Sequence, residues 1–139
     1  MKSLLVLSFL FVTAVAQARS FKCIGEESKF ETIEGQYLGE GVDAVVLSTS
    51  SIYSIFSKNG DDSLQLNRTQ NAKKSGKFSD YPIQFVARQK DDLGSSTTTF
   101  AIPLGVFGGS TGKKFNALLA VTGYSEKIEH QFYCELVGY

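Results

Sequence analysis

Residues 128–137 read IEHQFYCELV and alternate apolar with polar side chains along the whole stretch. A period of two places successive residues on opposite faces of an extended chain, and a single apolar face is typical of a half-buried β-strand. The stretch therefore predicts a strand that lies against the core of the protein. Its apolar face carries Ile128, His130, Phe132, Cys134 and Leu136, and its polar face carries Glu129, Gln131, Tyr133 and Glu135.

The first eighteen residues have the pattern of a secretory signal peptide. Lys2 supplies a positive charge, residues 4–12 are apolar, and a small-x-small sequence ends at Ala18. The apolar run is shorter than the roughly 20 residues that a transmembrane helix needs. We therefore expect cleavage near Ala18, export to the periplasm or the extracellular space, and one mature domain formed by residues 19–139.

The two cysteines of the chain are Cys23 and Cys134. An exported chain meets an oxidising compartment, so we expect them to form a disulfide rather than to remain as buried thiols. In the chain-entropy model, closing a loop of ~100 residues contributes roughly 4–5 kcal/mol. Because bridged Cα atoms lie about 4–7 Å apart, the bond also predicts that the first and last strands are neighbours.

Short β-like segments separated by turn residues fill the rest of the chain, and no helix-length apolar period follows the signal peptide. This pattern predicts an all-β fold, a single small antiparallel barrel or sandwich of about eight to nine strands. The Asn59-Gly60 pair predicts a tight hairpin. The candidate strands are 21–24, 29–33, 42–48, 52–57, 63–67, 81–88, 97–104, 115–121 and 128–137, of which 42–48 and 52–57 also fit one bulged strand. Alternation places Phe30 with Thr32 on one face, and Tyr81 with Ile83, Phe85 and Ala87 on another. Phe100, Ile102 and Leu104 are expected to point inward.

The charge balance of the chain gives no reason to expect an anionic partner. Lys and Arg together number 14, as do Asp and Glu, so there is no electrostatic reason to expect nucleic acid as a partner. An outer-membrane barrel is also disfavoured, because the polar face of residues 128–137 carries two glutamates at lipid-facing positions. We expect a monomer that does not span a membrane.

The sequence contains no recognisable catalytic or metal-binding constellation. Residues 108–114 are rich in glycine, but the spacing of a phosphate-binding loop would need glycine where Phe107 stands. His130 is the only histidine, and we interpret it as a core or rim residue hydrogen-bonded to backbone rather than as a metal ligand or base. The acidic pairs at 26–27, 61–62 and 91–92 lie in predicted turns. We therefore expect no cofactor, no metal and no enzymatic activity, and an enzyme that uses His130 is the weakest alternative.

Two polar loops, 68–80 and 105–114, have no apolar period, so we expect that the core does not need their side chains. Loops on a rigid β scaffold commonly carry binding. The leading functional hypothesis is therefore an exported binding domain that recognises a protein or glycan through these loops, with enzyme inhibition as one version. The alternative is a carrier whose hollow barrel holds a small apolar molecule, because eight strands can enclose one such ligand. The possible partner-binding residues are Lys73, Lys74, Lys77, Lys113 and Lys114.

Overall fold

The computed structural model describes residues 18–26, 32–49, 63–91, 94–123 and 126–138. The predicted signal peptide, the candidate strand at 52–57 and the Asn59-Gly60 hairpin lie outside the described residues, apart from Ala18. Within these ranges eight strands and two short 3₁₀ turns are present. The strands are β1 (Arg19–Gly25), β2 (Thr32–Tyr37), β3 (Ala44–Thr49), β4 (Ser63–Arg68), β5 (Ile83–Asp91), β6 (Gly94–Ile102), β7 (Lys114–Gly123) and β8 (Glu126–Gly138). The 3₁₀ turns are Gly76–Asp80 and Val106–Gly108.

Each strand pairs antiparallel with the next one in sequence, and β8 pairs with β1, so the sheet closes into an up-and-down barrel. The all-β prediction and the neighbouring terminal strands are thereby confirmed, and the barrel is found rather than the sandwich. Closure removes the exposed edges that an open sheet of this size would present. No helix among the described residues is long and apolar enough to cross a membrane.

Cys23 of β1 lies directly opposite Cys134 of β8, and the two form a disulfide. Both side chains point into the barrel and are almost fully buried. The bond joins strands that are 111 residues apart in sequence and already hydrogen-bonded to each other. It therefore covalently secures the seam at which the barrel closes.

The interior is filled by aromatic side chains over much of its length. Phe21 stacks on Phe100 with ring centroids 5.6 Å apart and meets Phe115 edge-on at 5.9 Å. Gly35, on the neighbouring strand β2, provides the space for the Phe21 ring, because a Cβ at that position would overlap it. A glycine that looks like a strand breaker is thus part of the core.

Three residues, Thr32, Tyr81 and Leu104, do not lie on the faces that the alternation of the sequence predicts. Strand β2 covers 32–37 rather than ending at Ile33, and Thr32 is exposed whereas Ile33 and Tyr37 are buried. Tyr81 precedes β5 and packs outside the barrel, because Pro82 delays the start of the strand. Leu104 is 72% exposed, because β6 ends at Ile102 and the chain turns after Pro103.

Candidate functional site

One end of the barrel is closed by the loop between β6 and β7. The 3₁₀ turn Val106–Gly108 in this loop inserts Phe107 across the barrel mouth, where its ring stacks on Tyr37 with centroids 4.3 Å apart. Phe107 also meets Phe21 at 5.7 Å and Phe85 at 6.3 Å. We call the 3₁₀ turn with Phe107 the plug, and this end of the barrel the plugged end.

Arg19 holds the plug in place through two hydrogen bonds to its backbone. Its Nη1 donates hydrogen bonds to the carbonyl oxygens of Phe107 at 2.9 Å and of Gly109 at 2.6 Å. The Arg19 side chain is 95% buried at the start of β1, so it acts within the core rather than at the surface. Hydrogen bonds from a charged donor are stronger than those between neutral groups, and they fix the backbone that carries the plug.

A polar network lies beside the plug. The Tyr37 hydroxyl donates to Asp43 Oδ1 at 3.1 Å, and the same oxygen lies 3.7 Å from Arg68 Nη1. Burial, and after it the adjacent Asp43 carboxylate, raises the pKa of Tyr37 to about 12, so the phenol remains protonated at neutral pH. A cleft of about 300 Å³ opens here between the plug and the end of β4. Arg68, which lines the cleft, pairs with Asp43, and both side chains are more than a third exposed.

The loop at 68–80 is pinned to the barrel rather than free. The Gln84 side chain accepts a hydrogen bond from the Lys73 amide at 2.8 Å and donates one to the Lys73 carbonyl at 2.7 Å. Phe78 is buried on the outer face of the sheet, in a small cluster with Tyr81. The expectation that the core does not need the side chains of this loop is therefore wrong.

The lysines of the same loop point outward. Lys73, Lys74 and Lys77 are all exposed. The Lys73 ammonium lies 5.2 Å from the centre of the Phe78 ring, and Lys77 Nζ lies 3.9 Å from Glu129 Oε2. Exposed pairs of this kind contribute little to stability, so the three lysines remain available to a partner, but on a fixed scaffold.

Lys113 and Lys114 lie at the end of the other loop and are also exposed. Lys113 is held in place by its backbone, because its carbonyl accepts a hydrogen bond from the Leu136 amide at 2.9 Å. The rest of the loop supplies the plug, with Val106 only 2% exposed. The expectation that the core does not need the side chains of the loop is wrong here too, because Val106 is buried. No hydrogen bond or ion pair joins these two lysines to Lys73, Lys74 or Lys77 within the described residues.

The opposite end of the barrel is different. Residues directly opposite each other in an antiparallel pair share a face of the sheet, so the strand register identifies which side chains point inward there. One row of inward residues runs Ala87, Thr98, Val121, Ile128, and a second begins Gln89, Ser96, Gly123. A third row, closer to the plug, runs Phe85, Phe100, Leu119, His130.

Several of these inward residues are reached by solvent. Those that keep partial exposure although they face the barrel axis are Leu64, Ala87, Gln89, Val121, Ile128 and His130. Near the plug, inward residues such as Phe85 and Leu136 are completely buried, and Ile83, which lines the cleft there, keeps partial exposure. We call the partly exposed inward region at this end the cup, and the aromatic rings of Phe85, Phe100 and Phe132 lie towards the plug from it.

Polar side chains occupy part of the wall of the cup. Gln89 and Ser96 lie opposite each other on β5 and β6, Thr98 follows on β6, and His130 lies two strands away on β8. We call these four residues the polar wall. Ser96 is 7% exposed and Thr98 1% exposed. None of the four side chains forms a hydrogen bond to another residue in the part of the chain that the structure describes.

His130 is a rim residue, as predicted, but the predicted hydrogen bond to backbone is not formed with any described residue. Its ring meets Phe132 edge-on with centroids 6.5 Å apart. Among the described residues no group of three His, Cys, Asp or Glu side chains could hold a metal ion. The predicted acidic pairs each include a residue outside the described ranges or one whose side chain is not described, so no carboxylate dyad can be assigned from them.

Sequence reasoning did not identify the cup. A signal was present, since the inward positions Ala87, Ser96, Thr98 and Gly123 carry small residues where the strands nearer the plug carry Phe. Residues 94–99 read GSSTTT, however, and a polar run without alternation does not reveal which face points inward. Comparison of the chain with protein-family models, with curated proteins and with solved structures finds no match, so the geometry alone must indicate the function.

Proposed function

We propose that this protein is an exported, non-enzymatic binding protein that holds one small molecule in the cup. The observation that carries the proposal is the contrast between the two ends of the barrel. At one end Phe107 and Arg19 close the mouth, and at the other end inward side chains such as Val121 and Ile128 remain accessible to solvent. An eight-stranded barrel is wide enough to hold one small ligand in its interior.

The carrier hypothesis is favoured over binding through the two loops because of what the loops do for the fold. Phe78 and Val106 are buried, and Gln84 fixes the backbone at Lys73. Ligand sites are concave and mostly apolar, with a few polar groups that fix orientation. The cup combines apolar and polar side chains in this way, whereas Lys73, Lys74 and Lys77 are exposed on the outer surface.

An enzymatic role for His130 has less support. A general base must be within about 2.6–3.2 Å of the proton that it removes, and it is normally oriented by a third group. No hydrogen bond or ion pair orients His130 within the described ranges. The histidine therefore fits better as a hydrogen-bonding group in a binding site.

The proposal is tested by titrating the protein with N-phenyl-1-naphthylamine, a neutral apolar probe that fluoresces when it leaves water. Val121→Trp fills the cup from the inner face of β7, and its matched control Thr122→Trp places the same side chain on the outer face one residue later. We expect saturable binding that Val121→Trp weakens at least tenfold and Thr122→Trp leaves unchanged. Absence of saturable binding, or equal binding by the two variants, would contradict the proposal.

A further inference from the structure

We infer that the cleft beside the plug is a second binding site, and that its ligand is an α-amino acid with an apolar side chain. The ligand of the proposed function lies in the cup, at the other end of the barrel, so this inference goes beyond that function and does not rest on it. The inference is carried by the lining of the cleft, which combines apolar side chains with two solvent-accessible side chains of opposite charge, Arg68 and Glu40.

The apolar lining of the cleft sets the size and the character of the ligand. It includes Ile83, Ile102, Val106 and Phe107, of which Ile102 and Val106 are almost completely buried. The volume of the cleft is about 300 Å³. Since a molecule of liquid water occupies about 30 Å³, the cleft accommodates roughly ten non-hydrogen atoms, which is the size of leucine.

Arg68 supplies a binding group for the carboxylate of the ligand. Its side chain is 37% exposed, and its Nη1 lies 3.7 Å from Asp43 Oδ1, which is too long for a hydrogen bond. No described residue accepts a hydrogen bond from the Arg68 guanidinium. A guanidinium group commonly binds a carboxylate through two parallel N–H···O bonds. The donors of Arg68 can therefore turn to a carboxylate that enters the cleft.

Glu40 supplies the opposite charge for the ammonium group of the ligand. It lines the same cleft, is exposed, and forms no hydrogen bond or ion pair with another described residue. Burial is the largest cause of the raised pKa of Tyr37, and Asp43 is the next. Glu40 also raises this pKa and Arg68 lowers it, so both charges lie near the Tyr37 hydroxyl. One polar region of the cleft thus presents both charges.

The backbone holds these charged residues in place. Glu40 lies in the loop between β2 and β3, where the Asp43 amide donates a hydrogen bond to the Gly39 carbonyl at 2.8 Å. The Arg68 amide donates to the Asp43 carbonyl at 3.0 Å, which joins this loop to the end of β4. Arg19 also lines the cleft and holds the plug. A site that is fixed before binding loses less conformational freedom when the ligand enters.

The charges around the cleft disfavour a simple anion or a simple cation. An anion bound at Arg68 would be repelled by Asp43 and Glu40, and an amine bound at Glu40 would be repelled by Arg68. An amino acid carries both charges and is neutral overall, so each of its charged groups meets an opposite charge. Its apolar side chain then lies against the apolar lining.

The test is isothermal titration calorimetry with L-leucine and two analogues of the same carbon skeleton. The analogue 4-methylpentanoate lacks the ammonium group, and 3-methylbutylamine lacks the carboxylate. We expect leucine to bind saturably and at least tenfold more tightly than either analogue. Arg68→Met should reduce the preference for leucine over 3-methylbutylamine to below threefold, and Glu40→Gln should do the same for the preference over 4-methylpentanoate.

The matched controls are Arg88→Met and Glu34→Gln, which make the same changes of charge at exposed residues outside the cleft and should leave both preferences unchanged. Absence of saturable leucine binding, equal binding of the three compounds, or equal effects of Arg68→Met and Arg88→Met would each overturn the inference. Displacement of N-phenyl-1-naphthylamine by leucine would also overturn it, because leucine would then occupy the cup. The proposed function survives these outcomes, since it fails only if the probe does not bind in the cup.

Discussion

Phe107 lies flat against Tyr37, with ring centroids 4.3 Å apart and ring planes 5° from parallel. This contact joins the loop between β6 and β7 to the end of β2 and closes one mouth of the barrel. The barrel therefore has two unlike ends, and both the fold and the proposed function depend on this difference.

The plug contributes to stability through its aromatic contacts. Replacing Phe107 by Ala removes contacts with Tyr37, Phe21 and Phe85. We expect a loss of about 2–4 kcal/mol in the free energy of unfolding, because Phe→Ala in a core costs ~3–5 kcal/mol and this ring is only partly buried. Urea denaturation measures the change. Leu104→Ala, in the same loop but 72% exposed, is the control and should change stability by less than ~0.5 kcal/mol. Equal effects of the two substitutions would show that Phe107 does not close the barrel.

Gly35 is required by the ring of Phe21. A Cβ at residue 35 would overlap that ring, which is held in place by Phe100 and Phe115. We expect Gly35→Ala to destabilise the protein by at least ~1–3 kcal/mol, the usual cost of overpacking, and Phe21→Leu to restore part of the loss. Gly41→Ala is the control, because no atom lies within 4 Å of a Cβ built there. A Gly35→Ala variant as stable as the unchanged protein would contradict this packing.

Substitution of the exposed lysines of the 68–80 loop should leave the free energy of unfolding nearly unchanged, whereas substitution of its buried phenylalanine should lower it. We expect Lys73→Ser/Lys74→Ser/Lys77→Ser to change the free energy of unfolding by less than ~0.5 kcal/mol and to leave probe binding unchanged. Phe78→Ala should cost about 2–4 kcal/mol, because it removes most of a buried ring. Loss of probe binding in the stable lysine variant would place the site on the loop instead of in the cup.

Tyr37 should make stability fall at high pH. Burial, together with Asp43, raises the pKa of its phenol from 10.0 to about 12 in the folded protein, so folding favours the protonated form. This contribution is fully present below pH 10 and is lost as pH rises from 10 to 12, where the unfolded chain ionises first. Urea midpoints measured across this range should fall more in the unchanged protein than in Tyr37→Phe. Parallel declines in the two proteins would contradict the assignment.

The parts of the fold that follow regular alternation could be predicted from the sequence. Residues 128–137 indicated the inward face of β8 correctly, and Cys23 with Cys134 indicated that the terminal strands are neighbours. The plug could not be predicted, because Val106 and Phe107 stand between glycines and a single pair of apolar residues has no period. The packing role of Gly35 could not be predicted either, since a glycine that accommodates a neighbouring ring looks the same in sequence as one that ends a strand. The cup escaped prediction because residues 94–99 are polar on both faces.

The central claim, that the ligand lies in the cup and not at the plugged end, is tested most directly by intermolecular nuclear Overhauser effects. Bound N-phenyl-1-naphthylamine should show effects to the methyl groups of Val121 and Ile128, which line the cup, and none to those of Ile102 and Val106, which line the cleft beside the plug. Effects to Ile102 and Val106 without effects to Val121 and Ile128 would contradict the account.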